Sequence, residues 1–122
     1  PVIEIMESQK AIKIKGGTMR LGSYKCDIEP KTKVAKAYKK KTIHERHRHR
    51  WEVNNKYVKQ MLSKGLIFSG MNKDLGVVET IELDNHPWFV GCQFHPELKS
   101  RLDKAHPLFY GFVKASLNES KK

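Results

Sequence analysis

The order of apolar and polar positions divides the chain into short strands and a few helices. Val2-Ile3-Glu4-Ile5-Met6 reads as a short strand, and Ile12-Lys13-Ile14-Lys15 alternates with period two up to the pair Gly16-Gly17. Thr18 to Ile28 reads as extended, with Met19 and Leu21 on one face and Tyr24, Cys26 and Ile28 in phase with one another; Pro30 ends it. Val34, Ala37 and Tyr38 then fall at helical spacing behind Thr32, a residue suited to cap a helix N-terminus. From Ile43 to Val53 there is no helical apolar stripe, which predicts extended chain.

Asn54 is placed to cap a second helix running to about Ser63, with Tyr57, Val58, Met61 and Leu62 as its buried stripe and Gly65 supplying the left-handed stop. Leu66-Ile67-Phe68 predicts a strand, and Met71 to Asp74 a polar turn. Val77 to Leu83 predicts another strand, with Glu79 and Glu82 near its exposed positions, and Asn85-His86-Pro87 turns the chain. Trp88 to Phe94 is the most apolar strand and is expected at the centre of the sheet. Pro107 suits the first turn of a terminal helix whose buried stripe would be Leu108, Phe109, Phe112, Val113 and Leu117, with a polar tail from Asn118. Strands outnumbering helices, with helices left to cover them, predict an α/β sheet flanked by helices and seen only in part.

Composition narrows the class. A chain of 122 residues suffices for one domain and one core. No apolar run approaches the roughly 20 residues of a membrane helix, and no charged-then-apolar signal segment opens the chain. The first residue is Pro1, which leads to the expectation of a piece of something longer. The net charge of +11 raises the weight of an anionic partner, but the excess is spread over lysine-rich turns and both ends, as a solvated face of a larger protein would also have it. Two cysteines, Cys26 and Cys92, are too few for a disulfide framework and read as free, buried thiols in a reducing cytoplasm.

Two segments could carry chemistry. Gln93-Phe94-His95-Pro96-Glu97 directly follows the most apolar strand. Residues two apart in extended chain point the same way, so His95 and Glu97 can meet if the chain bends slightly, and Pro96 restricts it. A thiol nucleophile needs such a base, and the base needs a carboxylate to orient it. A bare H-P-E is more often a surface turn with a mild ion pair. The second segment, Glu45 to Asn55, alternates Arg46, Arg48 and Arg50 on one face with His47 and His49 on the other, followed by Trp51. Arginine there could grip an amino-acid carboxylate with two parallel hydrogen bonds. It could instead contact phosphate or RNA, with Trp51 as a stacking platform. Zinc on His44, His47 and His49 is disfavoured by the spacing, and an exposed charged strand remains open. Gly16-Gly17-Thr18-Met19-Arg20-Leu21-Gly22 matches neither the P-loop nor the dinucleotide fingerprint and reads as a tight turn. Cys92 lies three residues before His95, on the opposite side of a strand, and Cys26 has no base at strand or helix spacing; both read as structural.

Taken together and in order, GGTMRLG, ERHRHRWEVNN, NHPWFVGCQFHPE and HPLFYGFVKAS resemble the CTP synthase family over residues 16 to about 116, with residues 1–15 fitting more loosely. The resemblance implies a partial class I glutamine amidotransferase fold, a mixed sheet flanked by helices, spanning residues 1–122 as the C-terminal portion of a glutaminase domain. It places His95 and Glu97 on the base and acid of a Cys-His-Glu triad, and Arg50 with Trp51 on the glutamine site. Many relatives have Tyr after that arginine, so a hydrogen bond from the phenol is lost at Trp51. The family's nucleophile elbow, oxyanion loop and acidic glutamine ligand belong upstream of Gly16, so the chain is expected to be inactive alone. The implied partners are L-glutamine, the upstream half of the domain and a synthetase domain that uses ATP and Mg2+ to aminate UTP to CTP, in a cytoplasmic homo-tetramer. Membrane and nucleic acid are not expected, and the rival reading is a basic RNA- or phosphate-binding module.

Overall fold

The computed structural model describes residues 1–10 and 19–122. The expected alternation at residues 12–15 and the glycine turn at residues 16–17 lie outside the described residues. Two sheets are present among those described. A ribbon pairs β1 (Ile3–Ile5) with β4 (Trp51–Val53). A five-stranded sheet has the order β3-β2-β5-β6-β7, formed by β3 (Thr42–His49), β2 (Arg20–Ile28), β5 (Leu66–Asn72), β6 (Val77–Leu83) and β7 (Val90–Cys92). Every pairing among them is antiparallel. The helices are α1 (Glu7–Lys10), α2 (Lys33–Tyr38), α3 (Val58–Ser63) and α4 (Pro107–Glu119), with 3-10 turns at Asn55–Tyr57 and Pro96–Lys99.

Local signals place several of these elements. The Thr32 side chain accepts from the Ala35 amide and caps α2, and the Asn54 side-chain Oδ1 accepts from Lys56 N at the turn leading into α3. Gly65 takes φ +89°, where a side chain would be strained, and ends α3. Pro107 opens α4 at a position whose amide would have no partner in the helix. The core is small. Cys26, Ile28, Val34, Ile43, Phe94 and Leu108 are buried together, with Trp88, Val90 and Cys92 packed at their margin.

Gly70 lets β2 and β6 close over this core. A Cβ there would stand 2.5 Å from Thr80 Oγ1 and 2.7 Å from Cys26 Sγ, both fully buried. Gly70→Ala should therefore destabilise the chain by about 1–3 kcal/mol through overpacking. Denaturant titration checks this, and an unchanged midpoint would refute the close approach.

Five expectations are corrected. Trp88 to Phe94 is not a central strand: only Val90–Cys92 pair, and β7 is an edge of the described sheet. Its apolar residues are needed for packing beneath α4, not for burial on both sides. Met71 and Asn72 belong to β5, and the turn falls at the exposed residues 73–76, ending on Gly76 with φ +66°. Glu79 and Glu82 are 1% exposed. Glu82 accepts from Lys33 N (2.8 Å) and Val34 N (3.2 Å), so its carboxylate closes the N-terminus of α2, where free amides and the helix dipole favour an anion. Glu79 meets Arg20. In α4 only Leu108 is buried, while Phe109, Phe112, Val113 and Leu117 are 40–56% exposed because no described element packs on that side. The α3 stripe is likewise only half-covered, with Leu62 exposed.

Candidate functional site

The site is built where β3 ends and β7 runs out. Alternation along β3 holds: Ile43, Glu45 and His47 are buried, while His44, Arg46 and Arg48 face outward. The extended segment does not continue to Val53 unbroken. The chain bends at Arg50 and resumes as β4, so Arg50 leaves the face of Arg46 and Arg48 and becomes half-buried. His44 likewise points away from His47 and His49, and among the described residues no three His, Cys, Asp or Glu side chains converge as metal ligands.

His95 is anchored on the free edge of β3, where its amide donates to Arg46 O at 2.9 Å. Pro96 then starts a 3-10 turn, and that turn, not an extended chain, brings Glu97 back onto the imidazole. His95 Nδ1 lies 2.6 Å from Glu97 Oε1. A carboxylate only accepts, so Nδ1 carries the proton and Nε2 presents its lone pair outward. The hydrogen bond from His95 holds the Glu97 carboxyl below the usual carboxylate range. Both groups are substantially exposed, so the pair is a geometric device more than a stabilising one.

Arg50 directly follows His49. Its backbone oxygen accepts from Met6 N (2.9 Å), which ties it to the β1–β4 ribbon. Its Nε is buried and has no hydrogen-bond partner among the described residues. A buried guanidinium nitrogen left open is costly unless a ligand oxygen meets it. Trp51 is 51% exposed, and its carbonyl accepts from Gln93 Nε2 (2.7 Å) and His49 Nδ1 (3.1 Å). The strand carrying His95 and the corner carrying Arg50 are thus joined directly.

Behind the corner lies a buried charged group that was not legible in the sequence. Arg20, 5% exposed, pairs with Glu79, stands 3.5 Å from Glu52 and stacks over the Tyr24 ring. His47 Nε2 lies 3.3 Å from Glu79 Oε2. Burial pushes Glu79 up to about 7 despite Arg20, and burial with the Arg20 charge pushes His47 down to about 3 and His49 down to about 4. Further back along the same buried face of β3, Glu45 accepts from Tyr38 Oη (3.0 Å) and from His106 Nε2 (3.2 Å), while His106 Nδ1 accepts from Leu108 N and caps α4. Burial opposes the Glu45 charge, but these bonds outweigh it and hold its carboxyl low. His106 is therefore a buried helix cap.

Neither cysteine is poised as a nucleophile. Burial pushes both thiols up to about 12; Cys26 is fully buried, and Cys92 Sγ donates to Phe94 O at 3.4 Å.

Comparisons with known proteins find relatives over nearly the whole chain. A CTP synthase of Flavobacterium johnsoniae is 55% identical over the whole chain, and one of Methanosphaera stadtmanae 59% identical over 98% of it. The chain spans only 23% and 22% of the lengths of these two relatives. The solved structure of the Trypanosoma brucei CTPS glutaminase domain with bound acivicin matches with a TM-score of 0.84 at 32% identity, over 96% of this chain and 46% of that one. The family model for glutamine amidotransferase class-I matches residues 2–115. With nearly the whole chain matched by that model, and a base-carboxylate pair at the strand end, the protein belongs to the class-I glutamine amidotransferases.

Proposed function

We propose that this chain supplies the base, its orienter and the glutamine-carboxylate grip of the glutaminase site of a CTP synthase. The observation that carries the reading is the His95–Glu97 contact at 2.6 Å, with Nε2 left open. A thiol from the rest of the domain would be placed against that nitrogen. His95 Nε2 takes the thiol proton as sulfur attacks the glutamine side-chain carbonyl carbon. The same nitrogen returns the proton to the departing amine, which leaves as ammonia. A water then attacks the thioester carbon, giving its proton to His95, and glutamate is released as the thiol re-forms. Glu97 keeps Nδ1 protonated throughout and stabilises the imidazolium between transfers. Arg50, with its open buried Nε, pairs with the α-carboxylate of glutamine. Trp51 lines the same site through its ring and carries no phenol donor.

The rest of the proposal concerns the whole enzyme. A synthetase domain binding ATP and Mg2+ would use the ammonia to convert UTP to CTP; no residue of this chain is assigned to that step. The upstream half of the glutaminase domain would cover the exposed Phe109, Phe112, Val113 and Leu117 stripe of α4, in keeping with a match to under half of a solved glutaminase domain. A cytoplasmic tetramer is part of the same reading. Nothing in the geometry favours the basic RNA-binding alternative: Arg50 departs from the face of Arg46 and Arg48.

The chain by itself is expected to release no ammonia from glutamine, because Cys26 is buried, Cys92 is half-buried, and burial holds both thiols protonated. A coupled glutamate assay on the purified chain checks this. Turnover that disappears on Cys92→Ser would overturn the assignment of an external nucleophile.

A further inference from the structure

We propose that His49 is a positioning residue for the glutamine site: its Nδ1–H bond to the Trp51 carbonyl, locked in direction by His47, sets where Arg50 and Trp51 stand relative to His95. The inference rests on the glutaminase reading above and goes beyond it by naming residues that touch neither substrate nor the reacting atoms.

The direction of the hydrogen bonds follows from elementary valence. A carbonyl oxygen only accepts, so His49 Nδ1, 3.1 Å from Trp51 O, must carry a proton. His49 is kept neutral by burial and by the Arg20 charge, so its Nε2 is a bare acceptor. His47 Nδ1, 2.8 Å away, is therefore the donor. A neutral His47 then has a bare Nε2, and this faces Glu79 Oε2 at 3.3 Å. These two atoms form no hydrogen bond; the other Glu79 oxygen is held by Arg20. The series runs one way: His47 to His49, His49 to the Trp51 carbonyl. Arg20 and Glu52 balance each other's charge beside it.

The end of that series is where position matters. The Trp51 oxygen accepts from His49 and from Gln93, which uses both of its lone pairs. Gln93 is two residues before His95, and its own amide donates to Glu79 O at 2.8 Å. Glu79 thus lies beside both parts of the site, its carboxyl 3.3 Å from His47 Nε2 and its backbone oxygen bonded to Gln93. The His47 ring cannot swing away: it is 1% exposed and packs edge-on against Tyr24 and Phe94, with centroids 5.5 and 5.9 Å apart. A corner held this way needs no reorganisation when a carboxylate meets Arg50.

The test separates the two ring positions of His49. Asparagine places an N–H where Nδ1 stands and can keep the bond to Trp51 O. Glutamine places its amide at the Nε2 position and reaches only His47. In the complete enzyme, His49→Gln should raise the glutamine KM by about tenfold, the scale of one lost hydrogen bond, with kcat for glutamine-dependent synthesis little changed. His49→Asn should stay within about threefold of the native KM. Equal behaviour of the two variants, a worse Asn variant, or a parallel loss of ammonia-driven synthesis would each overturn the proposal. His95→Ala and Arg50→Ala serve as controls. If those two keep normal glutamine use, the glutaminase reading itself fails; if they are impaired and the His49 pair does not split, only the positioning role fails.

Discussion

Replacing His95 with alanine in the complete enzyme should lower glutamine-dependent CTP formation by about four orders of magnitude or more, the scale seen when a triad base is removed. Without an imidazole on the free edge of β3, nothing takes the proton of the attacking thiol or returns one to the leaving amine. Ammonia added to the medium bypasses this step, so ammonia-driven synthesis should persist. Parallel kinetics with glutamine and with ammonium chloride check the result, and a common fall in both would show that His95 serves the fold or the synthetase reaction instead. The hydrogen bond to Arg46 O comes from the His95 backbone, so the turn at Pro96 should survive the substitution.

The second large effect is expected at Arg50. Arg50→Ala should raise the glutamine KM by about a hundredfold, the loss of a charge-assisted pair in a partly buried site. Its Nε has no protein partner among the described residues, so the substitution breaks no bond to them at that atom, and the effect should appear in binding and not in stability. Arg50→Lys should recover little, since a point charge cannot reproduce two parallel hydrogen bonds to a carboxylate. A KM equal to that of the native enzyme, or a matching fall in thermal stability, would remove Arg50 from the glutamine site.

Much of the site was legible because it depends on short-range rules. The period-two alternation of β3 already separates Arg46 and Arg48 from His47, and H-P-E places a carboxylate within reach of an imidazole. What escaped sequence reasoning was the bend at Arg50 and the group behind it. An arginine at the end of an alternating run looks like its neighbours until β1 pairs with β4 and Met6 N takes its carbonyl. Gln93 lay inside a motif already singled out, yet its partner, the Trp51 carbonyl, is 42 residues away. His47 and His49 drew notice only as possible metal ligands, although two imidazoles on the inner face of one strand can also form a directed hydrogen-bonded pair.

The sequence by itself determined the local elements. Thr32 and Asn54 cap the turns they precede, Gly65 ends α3, Pro107 opens α4, and the strands fall close to their apolar alternation, because caps, glycine freedom and side-chain period act within a few residues. The four motifs also sufficed to indicate the family. Only the tertiary structure decided which charged groups are inside. Glu79 and Glu82 occupy positions that a strand pattern assigns to solvent, and they are buried because Arg20, His47 and the amides of α2 come from other parts of the chain to meet them. It likewise decided that β7 is an edge of the described sheet and that most of the apolar stripe of α4 stands uncovered. Burial of a charge or exposure of an apolar face depends on which partner arrives in space, and hydrophobic period along one segment carries no record of that partner.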